Sequence, residues 1–128
     1  MIDKLEHHFV EQRPWGQFEQ FTLNQVSTVK IITVAPGQGF SLQRHTKRDE
    51  FHKVLSGKGF ITLNNDRTPV EVGKVYTIPR GTIHRMEATD EPIIFLEVAM
   101  GEFDEGDIER LEDNYGRVVD HHNQNVHH

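Results

Sequence analysis

A chain of 128 residues is long enough for one compact domain and too short for two ordinary ones. An apolar share of 35%, with ten glycines and eight phenylalanines, is that of a globular chain, and a net charge of -6 is the wrong sign for a protein that grips nucleic acid through its phosphates. With no cysteine there is neither a disulfide nor a thiolate metal site, so His, carboxylate and amide groups are the only side chains left for a cation.

The opening MIDKLEHHFVEQRPWG has neither the apolar core nor the basic leader of a secretory segment, and no apolar run approaches the ~20 residues that span a bilayer. These features predict a soluble, cytoplasmic protein with no membrane or nucleic-acid partner. Trp15, the single tryptophan, is expected to pack against the end of the domain rather than stack on a ligand.

From Phe18 to Met100 short apolar or alternating runs are broken by Pro and Gly at regular intervals. Strands are predicted at Phe18–Leu23, Val29–Val34, Phe40–His45, Glu50–Leu55, Gly59–Leu63, Lys74–Ile78, Ile83–Glu87 and Ile93–Val98. The breaks at Ala35-Pro36-Gly37, Ser56–Gly59, Asn64-Asn65-Asp66 and Pro79-Arg80-Gly81 carry turn residues. The expected fold is an all-β antiparallel barrel or sandwich over about residues 13–101.

Seven acidic residues crowd positions 102–113. Within the acidic segment 102–117 a short helix is predicted from Asp104 to Leu111, with Asp104 as its cap and Ile108 and Leu111 three apart on one face. The histidine-containing tail 118–128 has no periodicity and is expected to be disordered.

Six of the nine histidines lie near the two ends, which leaves His45, His52 and His84 inside. Gln43 and His45 are two apart, so on one strand their side chains share a face. If Phe40–His45 and Glu50–Leu55 form a hairpin, Glu50 returns opposite His45, and His84 comes from a later strand. Gln43, His45, Glu50 and His84 then make a mixed nitrogen and oxygen site for one divalent metal, with zinc first and Mn, Fe, Co or Ni also suited. The bland alternative is two half-buried imidazoles and a surface amide.

Taken whole, the spacing resembles the two motifs of the cupin superfamily. Gly37, Gln43, His45, Glu50 and Gly57 match the first, with Gln43 in place of its first His. Gly73, Pro79, Gly81 and His84 match the second, with Ala88 where it has Asn. The resemblance implies a double-stranded β-helix, the jelly-roll barrel of cupins, with one metal inside. Gly37, Gly57 and Gly81 would serve turns, and Pro79 would set the backbone ahead of the ligand-bearing strand.

Arg13-Pro-Trp-Gly16, Ser41-Leu-Gln-Arg-His45, Ile78–Arg85 and Glu112–Arg117 further resemble the cupin domain of type II phosphomannose isomerases. That likeness implies interconversion of mannose 6-phosphate and fructose 6-phosphate through an enediol, with His52 or Glu97 as the proton carrier and Lys30 and Arg117 on the phosphate. Those enzymes commonly carry a guanylyltransferase domain in front of the cupin; only a dozen residues stand there in this chain, so guanylyl transfer is not expected. Lys47 replaces a His of the family pattern, and Phe51-His52 replaces His-Trp. These departures leave open a second reading, a non-catalytic sugar-phosphate-binding or regulatory cupin. A homodimer paired through sheet edges is expected of either.

Overall fold

The structure, a computed structural model, describes residues 6–102, 104 and 106–113. Among them the turn residues separate eleven strands: β1 Phe9–Arg13, β2 Gly16–Gln20, β3 Ser27–Val34, β4 Leu42–Arg44, β5 Arg48–Ser56, β6 Gly59–Leu63, β7 Asp66–Pro69, β8 Val75–Ile78, β9 His84–Ala88, β10 Ile93–Gly101 and β11 Glu109–Glu112. The all-β expectation holds. All eight predicted strands are present, Gly59–Leu63 with the same ends and the other seven with shifted ones, and β1, β7 and β11 are added.

Every strand pair is antiparallel. One sheet runs β3-β10-β5-β8, a second runs β11-β4-β9-β6-β7, and β1-β2 forms a separate hairpin. The inward row of β10 is Ile93, Phe95, Glu97 and Ala99, all buried, so one carboxylate stands in an otherwise apolar line. Ile93 and Phe95 join Val34, Val54, Ile61, Tyr76, Met86 and Ala88 in the main core. Each large side chain of this kind contributes on the order of 2 kcal/mol when fully buried. The outward row of β10, through Val98 and Met100, packs with Phe51 of β5 and with Phe21, which follows the β1-β2 hairpin. That hairpin is tied down by an ion pair between Glu19 and Lys53. β5 is therefore covered on both faces, and its polar residues Arg48, Glu50 and His52 are buried.

The turn glycines have the conformations their positions suggested: φ is +73° at Gly37, +110° at Gly57 and +86° at Gly81. Gly57 is doubly constrained, because a Cβ there would lie 2.1 Å from the carbonyl oxygen of Pro92.

Three expectations are corrected. Phe40–His45 and Glu50–Leu55 do not form a hairpin; β4 pairs with β9 and β11, whereas β5 pairs with β10 and β8 in the other sheet. The helix from Asp104 to Leu111 is replaced by β11, which pairs with β4. Ile108 and Arg110 are buried and Leu111 is exposed, a period of two, and the strand partner outweighs the three-residue spacing of Ile108 and Leu111. Trp15 lies in the β1-β2 turn and is 73% exposed, packed against no barrel end. Arg117 and the tail 118–128 lie outside the described residues. No helix among the described residues is long and apolar enough to cross a membrane.

Candidate metal centre

Two facing sheets supply the polar groups. Gln43 on β4 is in register with His84 at the start of β9, and His45 follows β4 directly. From the opposite sheet come Glu50 and His52 on β5, with Glu97 of β10 in register with His52. All six are buried. Alternation along each strand turns them inward, and the packing of the sheets brings them together.

The ligand atoms of His45, Glu50 and His84 all lie within 4.8 Å of one another. His45 Nε2 is 3.5 Å from Glu50 Oε2, and His84 Nε2 is 3.7 Å from Glu50 Oε1. Each imidazole is anchored through its other nitrogen: His45 Nδ1 donates to the backbone oxygen of Asp107 at 2.6 Å, and His84 Nδ1 donates to that of Thr82 at 3.0 Å. With the proton held at Nδ1, the lone pair of each ring is at Nε2 and points at Glu50, which is how a metal-ligating histidine is oriented by its surroundings.

The electrostatics agree with this arrangement. Burial pushes His84 down to about 3 against the pull of Glu50, with the neighbouring rings of His45 and His52 adding to the effect. Burial also lowers His45, opposed by Glu50 and reinforced by Arg48. Burial alone would raise Glu50, but the hydrogen bond and charge of His52 outweigh it and hold the carboxyl well below its usual range. The residues therefore fit a divalent cation: two neutral imidazoles and one carboxylate, already stripped of competing protons near neutral pH.

Gln43 is adjacent, with its amide reversed from the expected ligand orientation. Its Oε1 accepts from the Ser41 hydroxyl at 2.6 Å, and its Nε2 faces His45 Nε2 at 3.5 Å. A half-turn of the amide exchanges the two atoms, since the Ser41 hydroxyl can accept as well as donate. Arg48 also enters the centre, donating to Glu50 Oε2 at 2.6 Å and lying 3.2 Å from His45 Nε2. It takes the lone pairs that a cation would use, so metal entry requires its guanidinium to move aside.

His52 and Glu97 sit beside this cluster. His52 Nε2 is 3.0 Å from Glu50 Oε1 and 3.4 Å from Glu97 Oε1. Burial would depress this imidazole, yet hydrogen bonds to Glu50 and Glu97 raise it to about 9. Above the centre opens a cavity of about 480 Å³, lined among others by Lys30, Gln38, Gln43, Arg48, His52 and Glu97. Lys30, expected on the phosphate, is among the residues that line this cavity. Arg44, Arg80 and Arg85 are committed elsewhere, to Glu109, Asp49 and Glu112 respectively.

Sequence reasoning missed Asp107 and Ser41. The carboxylate of Asp107 accepts from the backbone N–H and hydroxyl of Thr46 at 2.9 and 2.8 Å and from the N–H of Lys47 at 2.8 Å, which clamps the turn after His45. The acidic crowding around Asp107 concealed it as one of seven similar residues. Ser41, fully buried two residues before Gln43, shares its strand face; a small hydroxyl on the inward face was the available signal.

A family model described as the mannose-6-phosphate isomerase C-terminal domain matches residues 2–113. The chain belongs to this family. It is 36% identical over 117 residues to the mannose-1-phosphate guanylyltransferase ManC of Salmonella typhimurium, covering 88% of this chain and 24% of that protein. To the alginate biosynthesis protein AlgA of Pseudomonas aeruginosa it is 35% identical over 117 residues, covering 90% and 24%. The chain therefore spans about a quarter of the length of these curated relatives. Among solved structures it is similar to a cupin protein from Bacteroides fragilis, at 28% identity and a TM-score of 0.55 over 59% of this chain and 65% of that one. The fold is the double-stranded β-helix of cupins.

These names correct the expected activity. The curated relatives are named for guanylyl transfer and for alginate biosynthesis, not for the interconversion of mannose 6-phosphate and fructose 6-phosphate. The isomerase reading is overturned, and with it goes the role of His52 or Glu97 as the proton carrier of that reaction.

Proposed function

We propose that this domain is a metal-binding cupin that holds a small phosphorylated sugar over its cation and serves nucleotide-sugar supply for polysaccharide synthesis. The observation that carries this reading is the convergence of His45, Glu50 and His84 from facing sheets, with His84 also lining a cavity about 480 Å³ in volume. Gln43 completes the ligand set after its amide turns, and zinc suits two imidazoles with one carboxylate better than it suits an all-oxygen site. When bound, the cation offers a Lewis acid to sugar oxygens.

The rest is the work of the chain's own groups. Asp107 and Thr82 orient the two rings, the apolar core under Phe95 excludes water, and Lys30 at the cavity presents a cation to a phosphate. The names of the curated relatives support mannose 1-phosphate as the first ligand to try. Pairing of two copies is part of the reading: among the described residues β3 is an edge strand, and it shows Val29 and Ile31 to solvent.

Calorimetric titration of the chain with mannose 1-phosphate, after stripping with EDTA and again after loading with zinc or manganese, tests the proposal. Binding that requires the metal and is lost in His84→Ala is expected. No heat with any loaded metal, or equal binding by the stripped protein, rejects it.

A further inference from the structure

Glu50 has two carboxylate oxygens, and only one is needed for the centre formed with His45 and His84. We infer that Glu50, His52 and Glu97 form a second divalent-cation site, so that Glu50 bridges two metals. The inference rests on the proposed first site for the bridge, and its own ligands are distinct.

The geometry is that of a coordination shell. The ligand atoms of Glu50, His52 and Glu97 all lie within 4.8 Å of one another, and all three residues are buried. With metal–ligand bonds of about 2.1 Å, neighbouring ligands are ~3.0 Å apart in an octahedral shell and ~3.4 Å apart in a tetrahedral one. The separations of His52 Nε2 from the two carboxylates are 3.0 and 3.4 Å. No large rearrangement is needed to place a cation among them.

A proton is a poorer occupant of the same position. Nε2 of His52 has one proton to share between two carboxylates, and a linear hydrogen bond can go to only one of them. A divalent cation engages the neutral ring and both carboxylates together and balances their two negative charges. His52 and Glu97 also line the cavity, which leaves its remaining coordination positions open to ligand oxygens. Two cations bridged by one carboxylate stand about 3.5–4 Å apart, the spacing that clamps a phosphate or a pair of adjacent hydroxyls. The second site depends on residue 52, where this chain has an imidazole instead of the indole of the pattern it resembles.

Mn(II) titration of the full, EDTA-stripped chain, followed by electron paramagnetic resonance, decides the matter. The wild type should show an exchange-coupled Mn(II) pair. His52→Gln and Glu97→Gln should each release one equivalent and leave an isolated Mn(II) signal, with near-ultraviolet circular dichroism confirming that each variant is folded. Only losses on substitution are read, so cations held by the terminal histidines do not enter. A wild type with isolated signals alone, or coupling that survives both substitutions, overturns the second site. If His84→Ala releases no equivalent, the first site is what has failed; if His84→Ala releases one and Glu97→Gln none, only the bridged pair is rejected.

Discussion

His45 and Asp107 are joined from two directions. The ring of His45 donates to the backbone oxygen of Asp107 at 2.6 Å, while the Asp107 carboxylate grips the two residues that follow His45. A segment that reads as a peripheral acidic stretch therefore sets the orientation of a buried imidazole 62 positions earlier.

Asp107→Ala removes the clamp on Thr46 and Lys47 and frees the backbone oxygen that holds His45. Metal affinity, measured by competition against a chelator, should fall about 10- to 100-fold, as it does when outer partners of ligating histidines are lost. Asp107→Asn keeps one acceptor oxygen and should fall in between. Unchanged affinity in Asp107→Ala would remove the positioning role.

The melting temperature of the EDTA-treated protein should decline on both sides of about pH 6.5, for opposite reasons. Burial holds His84 neutral down to about 3, so the unfolded chain takes up that proton first; the associated stability is present above ~6.5 and is lost as pH falls toward 3. His52 is raised to about 9 despite burial, by its bonds to Glu50 and Glu97; its contribution is full below ~6.5 and is lost as pH rises through 9. His52→Gln should flatten the alkaline limb and leave the acid limb. A wild-type melting temperature that is level from pH 6.5 to 9 would contradict a charged His52.

Ile108 is 3% exposed and Leu111 is 38% exposed, although both would share a face on a helix. Urea unfolding should show Ile108→Ala costing roughly 2–4 kcal/mol and Leu111→Ala less than about 1 kcal/mol. Equal costs would restore the helical reading of this segment.

Much of the fold was legible because its signals are local. Alternation of apolar residues marked β5, β6, β8 and β10, and glycines marked turns that do adopt positive φ. The exposed strands β1 and β7 were missed because both faces of each meet solvent or only partly buried neighbours, so no alternation is imposed. At the site, ligand-type residues at their spacings were visible in the chain. Glu50 does lie beside His45 and His84, but across facing sheets and not through the expected hairpin with the strand of His45.

Residue order alone determined which side chains could hold a cation, the period of two that turns Gln43, Glu50, His52 and Glu97 inward, and the glycines that let the strands reverse. Tertiary structure decided the rest: that His45 and Glu50 meet across facing sheets, that Asp107 locks the first of them, and that His52 is enclosed between two carboxylates. Side-chain alternation and turn conformation are set by neighbours along the chain, whereas pairing of sheets and the dielectric around a buried ring depend on residues dozens of positions away, whose approach no local pattern encodes.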